Sequence, residues 1–85
     1  MHEKICKELN ELYTRKNNDY GNSFSEQYQE YGMLSSVIRL DDKLRRLKQL
    51  ANNEQMVSDE SVEDTLMDLS NYAIMTLMEM RKSDE

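Results

Sequence analysis

Proline and tryptophan are absent from this 85-residue chain, glycine occurs only twice, and cysteine and histidine occur once each. Each scarcity excludes something. Without proline the strongest helix breaker is missing. One cysteine, Cys6, allows no disulfide within the chain and fits a reducing, cytoplasmic compartment. One histidine, His2, leaves no Ser/His/Asp or Cys/His catalytic set and no His/Cys metal cluster. No apolar run approaches the roughly 18 residues of a membrane span, and the opening MHEKICKELNE is too charged for a secretory signal. Basic excess is missing too: a net charge of −6 argues against duplex nucleic acid as a partner. It leaves room for a small anionic ligand, which responds to local potential. Neither a GxGxxG nor a GxxxxGK[ST] phosphate loop is present.

What remains is rich in Glu, Lys, Leu, Met and Gln, the residues of helices. The expected fold is all-α: a small helical bundle, one domain over residues 1–85, built from an N-terminal helix, a short helix and two long helices. The first helix spans about 3–17, with Ile5, Leu9, Leu12 and Tyr13 on one stripe. Asn17, Asn18, Asp19 and Gly21 form the turn that ends it. A short helix follows, capped by Ser23 or Ser25 and closed by Gly32, with Tyr20, Phe24, Tyr28 and Tyr31 at helical spacing. The third covers 33–51, its seam formed by Val37, Leu40, Leu44, Leu47 and Ala51. After a polar loop the last runs from about 59 to 82, with Ser58 as N-cap. Its expected core seam is Val62, Leu66, Leu69, Ala73, Leu77 and Met80. A second stripe, Met67, Ile74 and Met78, lies roughly a third of a turn away. A chain this short buries little core by itself, so that stripe points to a homo-oligomer, dimer or tetramer, through the last helix. A wide core stripe filled by adaptable methionines is the alternative.

Three patterns could carry chemistry. Arg39, Lys43 and Arg46 fall within an arc of about 60° on the third helix. Such an arc can hold phosphate oxygens, or can be a solvated face laced with pairs such as Asp42–Arg46. On the last helix Asp64, Asp68 and Asn71, with Glu60 a turn earlier, make a polar stripe. It suits Mg²⁺ beside substrate phosphates, or salt bridges to the basic arc. The segment KNNDYGNSF (16–24) offers a cation, a tight turn and two rings able to stack on a base. It can equally be a turn with a hydrophobic anchor.

Taken together, KNNDYGNSF (16–24), RLDDKLRRL (39–47) and DESVEDTLMDLSNYA (59–73) resemble the nucleotide-modification-associated domain one family, found largely in phages and prophages. The resemblance implies a link to modified-nucleotide metabolism. It also implies a second role, since similar phage proteins are small helical oligomers that sequester cyclic nucleotide signals of bacterial defence in the host cytosol. Carried onto this chain, the ligand residues would be Lys16, Asp19, Tyr20, Asn22, Phe24, Arg39, Lys43, Arg46, Asp68 and Asn71. No catalytic residue, metal ligand or cofactor is expected on that reading, and the partner is a small nucleotide, a cyclic dinucleotide foremost. A site shared between subunits would suit a two-fold ligand. DTLMDLSNYA also resembles the carboxylate-bearing helix of small helical nucleoside-triphosphate pyrophosphohydrolases, where Glu60, Asp64 and Asp68 would hold Mg²⁺. The paired-glutamate motif of that group is replaced here by RLDDKLRRL, which removes half of such a metal site. A third reading is a protein-docking module presenting Met67, Ile74 and Met78.

Overall fold

Among the described residues four helices carry the fold: α1 (His2–Arg15), α2 (Ser23–Tyr31), α3 (Met33–Ala51) and α4 (Asp59–Ser83). The computed structural model describes residues 1–16, 20, 22–52 and 59–83. The expected turn at Asn17, Asn18, Asp19 and Gly21 and the expected cap at Ser58 lie outside the described residues. Among those described there is no strand, and no helix is long and apolar enough to cross a membrane.

Glu3 in the first turn of α1 and Arg15 in its last both suit the helix dipole. The Lys16 amide donates to Leu12 at 3.0 Å, and the Tyr20 amide reaches back to the Lys16 carbonyl at 2.8 Å. Helical hydrogen bonding thus sets where Tyr20 leaves α1. The short helix was expected to be capped by Ser23 or Ser25. Instead Asn22 is the N-cap, with φ −69° and ψ −50° and no side-chain cap bond. The backbone is already helical there, so both serines fall inside the helix.

Gly32 ends α2 and begins α3. Its amide donates to Tyr28 at 2.6 Å, while its carbonyl accepts from the Ser35 amide at 3.0 Å and the Ser35 hydroxyl at 2.8 Å. Its φ of +73° is why glycine stands here. One residue therefore closes one helix and opens the next.

Helices α3 and α4 make the most extensive contact of the fold. They run antiparallel: Lys43 meets Asp68, and Arg39, one turn back, meets Tyr72, one turn on. Helix α1 packs on α4, and α2 rests on both members of the pair. The core lies on that covered side, where Tyr20, Phe24 and Met75 are buried against Leu12, Tyr13 and Tyr72.

The structure corrects which face of the long helices is core. On α4 the expected seam residues Leu66, Ala73, Leu77 and Met80 are exposed, while Val62 and Leu69 are half-buried. The buried positions are Thr65, Asn71, Met75, Thr76 and Glu79. On α3 the seam residues Val37, Leu44 and Ala51 are likewise exposed, with Leu40 and Leu47 half-buried. The reason is the aromatic group. Tyr20 and Phe24 need cover, and the face of α4 that offers ring and thioether partners carries Tyr72 and Met75. That face tolerates burial because the Thr65 and Thr76 hydroxyls donate to the carbonyls of Ser61 and Tyr72, both at 2.8 Å. Of the second stripe, Met67 is half-buried and Ile74 and Met78 are exposed.

Candidate functional site

The site grows from the place where α1 ends. Tyr20, whose backbone N–H donates to the Lys16 carbonyl, sends its hydroxyl to one carboxylate oxygen of Asp68. The other oxygen of Asp68 lies 3.4 Å from the Lys43 ammonium. A residue of the α1–α2 connection, one of α3 and one of α4 are thus joined through a single carboxylate. Burial, followed by the hydrogen bond and charge of Asp68, pushes the Tyr20 phenol well above its ordinary pKa. The phenol is held as a donor and the carboxylate as its acceptor.

Three rings lie under this bridge. Tyr20 meets Tyr72 edge-on at 5.5 Å between centroids, and Phe24 stacks on Tyr72 at 5.9 Å. Cations close over them. The Arg39 guanidinium carbon sits 5.3 Å from the Phe24 centroid and 5.5 Å from that of Tyr72. Lys43 lies 5.9 Å from the Tyr72 ring, and Lys16 lies 5.5 Å from that of Tyr20. Arg39 is held in place by a 2.8 Å bond from its Nε to the Gln27 side-chain oxygen. Among the described residues three cations thus converge on one aromatic cluster that carries one carboxylate. In a chain of net charge −6 this is a local reversal of sign.

Beside the cluster, α1 and α4 enclose a cleft of about 430 Å³. Its walls include Lys16 and Asp68, together with Arg15, Glu8, Glu11 and Asp64. A second hollow of about 260 Å³, between α2 and α3, is lined by Gln27, Tyr31, Leu34, Ser35 and Ile38 and so offers no charged wall.

Of the residues expected at a ligand, Lys16, Tyr20, Phe24, Arg39, Lys43 and Asp68 come together. Tyr20 and Phe24 are only 4 % and 2 % exposed, so their rings pack beneath the cations and present no open stacking surface. Arg46 is exposed about a turn beyond Lys43 and makes no ion pair among the described residues; the pair anticipated with Asp42 is not formed. Asn22 is exposed at the start of α2. Asn71 stands apart from the cations, buried, with its side-chain amide donating to the Leu9 carbonyl at 3.2 Å. Asp19 lies outside the described residues, as does the side chain of Glu60. Among the described residues no group of three His, Cys, Asp or Glu side chains is placed to hold a metal ion.

The expected ligand set left out Tyr72 and Gln27. Tyr72 follows Asp68 by four residues and so shares its helix face, a signal that was available. Gln27 had none, because its partner lies on another helix.

A family model described as nucleotide modification associated domain 1 matches residues 16–80. The chain belongs to that family. The matched part holds every residue of the cation–aromatic cluster, from Lys16 to Tyr72, and it begins where α1 ends. The part of α1 that packs on α4, including Leu9 and Leu12, precedes the segment matched to nucleotide modification associated domain 1. No curated protein and no solved structure matches the chain.

Proposed function

We propose that this member of the nucleotide modification associated domain 1 family is a non-catalytic nucleotide-binding protein. In its specific form the reading is a phage sponge that sequesters cyclic dinucleotide signals of bacterial defence in the host cytosol. The observation that carries it is the convergence of Lys16, Arg39 and Lys43 on the Tyr20–Phe24–Tyr72 rings, with Asp68 the one carboxylate among them in the described residues. Guanidinium and ammonium groups in one patch can hold phosphate oxygens by charge-assisted bonds. Arg46, exposed nearby, extends the patch along α3. The mixed-charge cleft between α1 and α4 gives a nucleoside somewhere to lie. Binding of this kind needs no nucleophile.

Calorimetric titration against a panel of cyclic di- and trinucleotides tests the reading. Expected is saturable binding of at least one member, with heat denaturation returning the nucleotide unchanged. A folded protein that binds none of them sinks it.

A second reading draws on the acidic walls of the same cleft, Glu8, Glu11, Asp64 and Asp68. A Mg²⁺-dependent pyrophosphohydrolase would use carboxylates on a nucleoside triphosphate, but no three of the described ones are grouped to hold the ion, so the triphosphate itself would have to supply the remaining ligands. Its mark is pyrophosphate release that Asp68→Asn abolishes.

A further inference from the structure

We propose that Gln27 is a positioning residue of the site, a role that rests on the nucleotide-binding reading and deepens it. Its neutral side-chain oxygen holds Arg39 by Nε, so that the opposite edge of the guanidinium receives a phosphate end-on. Phe24 and Gln27 lie three positions apart on one face of α2, and Gly32 turns that helix onto α3. Arg39 meets both. Its guanidinium carbon lies 5.3 Å from the Phe24 centroid, and its Nε donates to the Gln27 oxygen at 2.8 Å. The Tyr72 ring, 5.5 Å away, bounds the guanidinium from α4. Two rings and one hydrogen bond thus fix it, while its two Nη groups make no hydrogen bond and no ion pair among the described residues.

The neutrality of the acceptor decides what Arg39 can do. Arg45, further along α3, shows the alternative: its Nε donates to a carboxylate oxygen of Asp41, also at 2.8 Å. That arginine already has its counter-charge. Lys43 is likewise engaged, 3.4 Å from Asp68. Arg39 is tethered at the same distance as Arg45, yet its tether leaves the positive charge uncompensated. A guanidinium held through Nε still presents parallel Nη–H donors, which match two oxygens of one phosphate. Holding the fork in place beforehand also lowers the ordering cost that a long side chain otherwise adds to binding.

Gln27 is exposed, so substitutions there leave the core intact. Affinity is read by calorimetry, with the member of the cyclic di- and trinucleotide panel that the wild type binds most tightly. Gln27→Glu keeps shape and acceptor but supplies the missing counter-charge. It should weaken binding about tenfold at low salt, the loss shrinking as salt is raised. Gln27→Met keeps the length and removes the acceptor. A several-fold loss that salt leaves unchanged is expected, with faster solvent exchange of the Arg39 Nε–H by NMR; in Gln27→Glu that proton should stay protected. Gln29→Glu, roughly 200° around α2, makes the same charge change away from Arg39 and should alter affinity less than about twofold. Wild-type affinity in either Gln27 variant overturns the proposal and leaves the nucleotide reading standing. So does a Gln29→Glu loss as large as that of Gln27→Glu, or an Nε–H that exchanges equally fast in wild type and Gln27→Met. A wild type that binds no member of the panel removes the nucleotide reading, and the role of Gln27 with it.

Discussion

Asn71, 2 % exposed in the middle of α4, donates its side-chain amide to the main-chain carbonyl of Leu9, 62 positions earlier, at 3.2 Å. This bond pins α1 to α4 and specifies their register, because a carboxamide aimed at a carbonyl tolerates little sliding. Asn71→Ala should lower stability by about 1–3 kcal/mol, the cost of a lost buried partner. Urea denaturation reads it, and amides around Leu9 should exchange faster than those of α3. Nucleotide affinity per folded molecule should change little. A tenfold loss of affinity in a fully folded variant would instead place Asn71 at the ligand.

Tyr20 gives the fold an alkaline limit. Its folded pKa is raised by burial and by Asp68, whereas the unfolded phenol ionises near pH 10. A group with a raised folded pKa contributes stability that is fully present below the unfolded value and is lost as pH rises through the folded one. Wild type should therefore begin to lose stability above about pH 10. Tyr20→Phe should start lower at neutral pH, lacking the bond to Asp68, and fall less steeply at alkaline pH. Parallel slopes for the two proteins from pH 9 to pH 12 would refute this linkage.

Much of this was legible in the chain. Helix periodicity and the lack of proline place four helices, and Gly32 marks the junction between two of them because no other residue sits easily at φ +73°. The motif blocks put Lys16, Arg39, Lys43 and Asp68 in one neighbourhood, and the structure joins them around three rings. Which stripe of α4 is core was not legible. Periodicity locates an apolar seam at Leu66, Ala73 and Leu77 but carries no information on what lies against it. The opposite face is chosen by the demand of Tyr20 and Phe24 for cover, which is a tertiary fact. Nor could spacing distinguish an Asn71 at a ligand from one that holds Leu9, since the acceptor is a backbone atom remote in sequence.

Ser36 carries a removable cost. It is fully buried on α3, and its hydroxyl has no hydrogen-bond partner among the described residues. An unsatisfied buried hydroxyl costs about 1–3 kcal/mol, and serine is also a poorer helix former than alanine by a few tenths of a kcal/mol. Ser36→Ala changes volume little and should stabilise the protein by about 1 kcal/mol. A higher denaturation midpoint at unchanged m-value is the expected signature. A destabilised Ser36→Ala would show that the hydroxyl has a partner in solution.

Lys43 and Asp68 should respond oppositely to removal of their charges. Their pair is 3.4 Å long with both side chains about one-fifth exposed, so it is only partly screened by solvent. Asp68→Asn leaves a carbonyl oxygen to accept the Tyr20 hydroxyl while deleting the carboxylate that pairs with Lys43. If Lys16, Arg39 and Lys43 receive phosphate, affinity for a phosphate-bearing nucleotide should rise several-fold at low salt, the gain shrinking as salt screens the site. Lys43→Gln should weaken binding at least tenfold, because it removes a phosphate contact and leaves the Asp68 charge without its ammonium. Arg39→Lys separates charge from shape. It keeps a cation but loses the guanidinium's contact with Phe24 and Tyr72 and the Nε bond to Gln27, so binding should fall despite an unchanged net charge. Calorimetry on the three variants checks all of this. Weaker binding by Asp68→Asn would show that the carboxylate contacts the ligand directly, as it would in the hydrolytic reading, and would remove the phosphate role assigned to the cations around it.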